Sequence, residues 1–266
     1  METKTKGSVD SDFVRAAQAL VDSSYSIALT GAGMSVESGI PPFRGPGGLW
    51  TKRGEPPMNA FQLFLADPKR AWEERLRQFN EDELYTSLRA AQPNAGHYAL
   101  VELERLGVIR CVITQNVDDL HRMAGQKSLV EIHGNYKLLR CLECVSRFPF
   151  EQFDLNELPP RCPNCGGLVK SDTVSFGEPI PPDVLAQCER EAAQADLVLL
   201  VGTSASVYPA AGFALEVKRR GGQLIEVNLY DSEITALCDI CLRGPSGEAL
   251  PRLAQCVAQV RMRRAL

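Results

Sequence analysis

Short apolar runs that each end in a small polar cluster constrain this chain more than any other feature. Ser26-Ile27-Ala28-Leu29-Thr30 runs into Gly31-Ala32-Gly33, and 108–113 runs into Thr114-Gln115-Asn116. The run 129–132 ends at His133-Gly134, and 197–201 ends at Gly202-Thr203-Ser204. Apolar runs without alternation read as strands buried on both faces. Between them lie segments with helical spacing of apolar residues: 12–21, 59–65, 68–79, 93–106, 183–194, 209–220 and 248–260, with a further strand over 223–229. Strands alternating with helices predict a parallel sheet covered on both sides, an α/β fold. Ligands of such sheets sit beyond the carboxyl ends of the strands, and the polar clusters all fall there.

The remaining stretches are less regular. Residues 1–10 read as a flexible tail without the apolar centre of a secretory signal, and the proline- and glycine-rich stretch 41–57 reads as a long loop. No run approaches the roughly 18 apolar residues of a membrane span, so a cytoplasmic protein without a membrane partner is expected. With 29 basic against 33 acidic side chains and a net charge of −4, the chain has no basic field for nucleic acid.

Cys141, Cys144, Cys162 and Cys165 form two C-x-x-C pairs, while the other five cysteines are scattered. Two such knuckles supply four thiolates to one tetrahedral Zn²⁺. Four sulfurs leave no position for water, so this metal is structural. A redox dithiol is the competing reading of either pair alone.

Gly31-Ala32-Gly33 can bring backbone N–H groups close to a pyrophosphate, though Val36 stands where a third glycine belongs in the dinucleotide fingerprint. Tight-turn packing is the alternative reading. Phe43 and Arg44 follow, the latter able to grip phosphate bidentately. Gln115, Asn116 and Asp118 offer amides and a carboxylate at a strand end, and Asp118 is also placed to cap the next helix. His133 is a candidate general base near neutral pH, whereas His121 reads as a packing residue.

Together, GAGMSVESGIPPFRG (31–45), TQNVDDLHRMAG (114–125), HG (133–134), the cysteine pairs, FGE (176–178), VGTSASVYPAAG (201–212) and VNL (227–229) resemble the sirtuins, NAD-dependent protein-lysine deacylases. The resemblance implies a Rossmann-like domain (11–45, 91–140 and 171–266) with a smaller domain made of a helical part (46–90) and a zinc-ribbon module (141–170). It implies NAD as a consumed cosubstrate, and acylated lysine of a protein or peptide as the partner. It further implies that acyl oxygen attacks the ribose carbon bearing nicotinamide and that the acyl group moves to ADP-ribose. His133, Asn116 and Asp118 would be catalytic. Gly31, Ala32, Gly33, Phe43, Arg44, Gln115, Gly202, Thr203, Ser204, Asn228, Leu229 and Ser246 would join Asn116 and Asp118 in holding NAD. Val174, Phe176, Gly177, Glu178 and Val207 would line the substrate, whose backbone would add as a strand between 176–178 and 206–208. The Tyr-x-x-Arg pair of relatives that take succinyl or malonyl groups is replaced by Arg75 and Gln78, which favours acetyl or a longer neutral chain. Lys170-Ser171 stands where many relatives carry Arg-Pro. An NAD glycohydrolase or mono-ADP-ribosyltransferase is the alternative function.

Overall fold

The structure is a computed structural model that describes residues 6–45 and 47–264. The expected tail over 1–10 falls partly outside it: residues 1–5 are not among the described residues, and from Lys6 onward the chain is already helical. In chain order the elements begin with α1 (Lys6–Asp22), β1 (Ser26–Thr30), α2 (Leu49–Arg53), α3 (Ala60–Ala66), α4 (Pro68–Glu81), α5 (Glu83–Ala90) and α6 (Ala95–Arg105). They continue with β2 (Cys111–Thr114), α7 (Leu120–Ala124), β3 (Leu129–Glu131), β4 (Leu138–Cys141), β5 (Arg147–Pro149) and β6 (Val169–Ser171). The last are α8 (Pro182–Gln194), β7 (Leu197–Val201), α9 (Ala210–Arg219), β8 (Gln223–Asn228), β9 (Ile240–Arg243) and α10 (Ser246–Arg264).

Six strands form one sheet in the order β3-β2-β1-β7-β8-β9, and every pairing in it is parallel. This is the Rossmann order, with its reversal point between β1 and β7. Successive strand residues point to opposite faces. Ala28, Val112, Leu199 and Ile225 therefore pack with Leu100, Leu103, Leu250 and Val257 of α6 and α10. Ile27, Ile113, Val198 and Leu200 pack with Cys188 and Ala192 of α8 and Ala214 and Val217 of α9. Both faces are covered, which is why these strands read as unbroken apolar runs.

A second sheet, β5-β4-β6, is antiparallel. Helix α4 starts with Asp67 accepting from the Arg70 N–H at 3.1 Å and Pro68 in its first turn. Its Trp72 is buried against Leu139 and Val169, and its indole N–H donates to the Val169 carbonyl at 2.9 Å. The helical and cysteine-bearing segments thus share one apolar cluster, and truncating Trp72 would cost about 3–5 kcal/mol.

Two expectations need correction. The stretch 41–57 is not loop throughout, because Leu49–Arg53 closes a helical turn between Gly48 and Gly54. The chain also carries α5 and β9 where the sequence signalled nothing.

Candidate functional site

The parallel register sets the strand ends level: Thr30 lies opposite Thr114 and Val201, and Thr114 opposite Glu131. One rim therefore carries the 31–33 loop, Gln115–Asp118, His133, 202–204 and Asn228. The Gly31 N–H donates to the Val201 carbonyl at 3.0 Å and the Gly33 N–H to the Gly202 carbonyl at 2.8 Å. A Cβ on Gly33 would lie 2.8 Å from the Gly202 backbone, so these glycines permit two loops to touch. The Thr203 hydroxyl accepts from the Gln115 amide at 3.0 Å, and the Thr203 carbonyl from Asn228 at 2.8 Å. Ser204 is exposed beside them, its hydroxyl 2.8 Å from that of Ser206. Ala32 is half-buried, Leu229 exposed, and Ser246 buried at the start of α10.

Beneath the rim lies a buried polar knot. Asn116 donates to the Gly31 carbonyl and to the Ser35 hydroxyl, both at 3.0 Å. The Ser35 hydroxyl donates onward to Asp118 at 2.6 Å, and the other oxygen of Asp118 accepts from the Leu120 N–H at 3.0 Å. Burial raises the Asp118 carboxyl above its ordinary range, and those two bonds offset part of the rise. His133 is half-buried, with Nδ1 3.2 Å from the Gln115 carbonyl. That contact fixes Nδ1 as the donor and leaves Nε2 as the basic nitrogen. Burial pushes its pKa down, so the ring is neutral at neutral pH.

Aromatic rings join the front loop to the segment after β6. Phe43 and Trp50 have centroids 4.9 Å apart, and Trp50 and Phe176 5.6 Å. Arg44 lies over Trp50 and donates to Glu55 at 3.0 Å and to Ser206 at 2.5 Å. It therefore bridges the front loop to the 204–206 loop. Across the cleft the Val174 N–H donates to the His133 carbonyl at 2.9 Å, and the Phe176 and Gly177 carbonyls accept from Phe61 and Gln62 of α3. Val207 is half-buried just before α9.

Glu178 does not face the cleft as the substrate-lining expectation required. Its carboxylate is buried and accepts from Arg140 at 2.6 Å, Lys170 at 2.9 Å and the Ser175 N–H at 2.8 Å. Asp172, also buried, accepts from Arg140, Arg147 and the Asn135 N–H. Lys170, at the departure from Arg-Pro, satisfies its three donors with Glu178 and the Ser171 and Thr173 carbonyls. Burial lowers its pKa to about 8 against the pull of Glu178. These three cations and two anions tie β4, β5 and β6 to the 172–178 segment.

The four predicted thiols converge, with all sulfurs within 4.8 Å of one another. Cys141 and Cys165 stand 3.5 Å apart, and Cys144 and Cys162 3.6 Å. Sulfurs 2.3 Å from a tetrahedral Zn²⁺ would be about 3.8 Å apart, so the donor set fits zinc. Among the described residues this is the one cluster of three or more cysteine, histidine or acidic side chains with metal-binding geometry.

The sequence model of the Sir2 family matches residues 31–209. The chain belongs to that family. An NAD-dependent protein deacylase of Pyrococcus abyssi is 45% identical over 245 residues, covering 90% of this chain and 96% of that protein. The crystal structure of a Sir2 homologue–NAD complex superposes with a TM-score of 0.77 at 41% identity, covering 92% of this chain and 94% of the other. A Sir2 variant solved with a deacetylated peptide and 3′-O-acetyl ADP-ribose gives 0.76 at 32% identity, with 91% and 96% covered. Two residues of this Sir2-family site escaped the sequence reading. Ser35 carried a signal, being a buried hydroxyl two places after the glycines, but Trp50 lay in a stretch read only as loop.

Proposed function

We infer that this Sir2-family chain is an NAD-dependent protein-lysine deacylase, which moves the acyl group from lysine to ADP-ribose and releases nicotinamide. The observation that carries it is the meeting of a neutral His133, an amide and a buried carboxylate on one rim of the parallel sheet. A module that only bound a dinucleotide would need no such base. The donor set fits NAD: close-packed glycine loops, the Ser204 hydroxyl, Asn228 and Arg44 on one side, and Gln115, Asn116 and Asp118 on the other. NAD supplies the electrophilic ribose carbon and the hydroxyls that receive the acyl group.

His133 takes a ribose-hydroxyl proton at Nε2, its Nδ1–H held by the Gln115 carbonyl. Asn116 and Ser35 order the ribose side, and Asp118 holds the nicotinamide carboxamide. Phe43, braced by Trp50, keeps water from the ribose carbon. Val174 and Phe176 flank the lysine stem, with the peptide backbone received as a strand between the 176–178 and 206–208 segments.

Acetyl-lysine is the substrate proposed. Of the two residues that replace the Tyr-x-x-Arg pair, Gln78 donates to Glu74 at 2.7 Å and Arg75 to the Tyr85 hydroxyl at 3.0 Å, which supports a neutral acyl chain. The cytoplasm is the compartment proposed, because four thiols gathered for a metal suit reducing conditions. The test is nicotinamide release with and without acetyl-lysine peptide. Release that depends on the peptide supports deacylation, and equal release without it overturns the reading.

A further inference from the structure

The first two histidines of the chain, His97 and His121, lie together beneath the site and take no part in the chemistry above. Both are fully enclosed, with ring centroids 4.8 Å apart in an edge-on arrangement. His97 sits in the first turn of α6, where its Nδ1 accepts from the Asn94 N–H at 3.2 Å. A neutral ring that accepts at Nδ1 carries its proton at Nε2. That Nε2–H has no hydrogen-bond partner among the described residues.

His121, in α7, has the complementary need. Its Nε2 lies 3.1 Å from the Thr30 hydroxyl, whose own proton is donated to the Thr114 hydroxyl at 2.8 Å. Thr30 must therefore accept from His121, which places the ring proton on Nε2 and leaves Nδ1 bare. That Nδ1 is also buried without a hydrogen-bond partner among the described residues. The two rings meet edge to face rather than through these nitrogens, and a charge on either ring would be enclosed without a counterion.

The chain of contacts has ends that matter. The Thr114 hydroxyl accepts from the Asn116 N–H at 3.1 Å, at the residue whose side chain reaches Gly31 and Ser35. At the other end Asn94 donates to the Met34 carbonyl at 2.9 Å and to the Ser38 hydroxyl at 3.0 Å, gripping the loop that carries Ser35. We propose that His97 and His121 form a neutral packed pair, both protonated at Nε2, in which His121 is a positioning residue for Asn116 through the Thr30 and Thr114 hydroxyls. The pair packs between the two loops that hold the polar knot, so that Asn116 and Ser35 keep one mutual geometry. The tautomer assignment stands apart from the function, whereas the positioning role rests on the deacylase reading.

The direct test is long-range ¹⁵N–¹H correlation on the wild-type protein at neutral pH, which needs neither variant nor substrate. Both rings are expected as neutral Nε2–H tautomers, with the His121 Nδ1 resonance moving in His97→Phe. A His121 ring protonated at Nδ1, charged, or unmoved in that variant overturns the pairing. The positioning role is read from kinetics of folded variants. His121→Leu is expected to lower kcat about tenfold with the KM for NAD changed less than threefold. His121→Gln, which keeps an N–H near the place of Nε2, is expected to recover most of that loss. Equal loss in both variants, or a loss confined to KM, contradicts positioning even where nicotinamide release still proves the enzyme a deacylase.

Discussion

The Ser35 hydroxyl donates to the Asp118 carboxylate across 2.6 Å inside the protein. It holds a charge that burial works to neutralise, and burial outweighs the hydrogen bonds in raising the carboxyl's pKa. A folded pKa above the unfolded one means that stability is present below the unfolded value of about 3.9 and is lost as pH rises through the folded value. Asp118 therefore costs stability at neutral pH in return for function. Asp118→Asn is expected to melt a few degrees higher than wild type at pH 7, while kcat falls on the order of 100-fold. Melting curves over pH together with steady-state rates check this, and an active or destabilised Asn variant contradicts it.

The histidine pair gives the opposite sign. Burial lowers the His97 pKa to about 4, and that of His121 falls well below 6.5 for the same reason. Their folded pKa values lie under the unfolded one, so the unfolded chain binds more protons as pH falls from 6.5. Stability is complete above that pH and is lost on the way down, by about 3 kcal/mol at pH 4 for His97 alone. Denaturant unfolding from pH 7 to 5.5 is expected to show this slope above the range in which most carboxylates titrate. His97→Gln is expected to reduce it, with His121 and His133 carrying the remainder, and an unchanged slope would remove the His97 ring as a cause.

Removing zinc is expected to unfold the β4-β5-β6 sheet and leave the parallel sheet folded. Trp72 is buried on that small sheet through Leu139 and Val169, so its fluorescence should shift toward that of exposed indole as chelator is added. Activity should fall with it and return with Zn²⁺, because metal binding and folding are coupled in such modules. Full activity in protein shown to be metal-free would contradict a structural role.

Lys170 is the point at which the zinc sheet meets the substrate segment. Lys170→Met leaves Glu178 with Arg140 as its one cation beside the Ser175 N–H, and breaking a buried pair costs about 3–5 kcal/mol. The expected phenotype is a lower melting temperature and a raised KM for acyl-lysine peptide, with NAD affinity unchanged by calorimetry. Lys170→Arg keeps the charge and is expected to be milder. A variant with weakened NAD binding and normal peptide KM would place the network's influence on the wrong side of the cleft.

Much of this architecture is legible in the sequence because burial on both faces leaves no polar alternation in β1, β2 and β7. The polar clusters that end those runs mark the rim for the same reason, since a strand's apolar run stops where it leaves the core. The edge strand β9 is not legible: Ile240–Arg243 alternates buried residues with half-buried Cys241 and exposed Arg243, and four residues carry little periodic signal. Helix α2 hides in a stretch whose glycines and prolines point to loop, and Trp50 hides with it. Glu178 is placed at the substrate by the resemblance alone, and nothing local in the sequence marks its carboxylate as buried. Its true partners, Arg140 and Lys170, are distant in sequence or separated by a turn. The Ser35–Asp118 and Thr30–His121 contacts join residues some 80 to 90 positions apart, which no local pattern reveals.

The most direct measurement is mass spectrometry of a reaction with NAD and acetyl-, succinyl- and myristoyl-lysine peptides, following nicotinamide, deacylated peptide and O-acyl-ADP-ribose together. Equal amounts of the three products are expected, with acetyl-lysine turned over fastest and succinyl-lysine slowest, and His133→Ala should remove all three while still binding NAD. Nicotinamide accompanied by free ADP-ribose or ADP-ribosylated protein, with the acyl-lysine intact, would contradict the deacylase and the role given to His133.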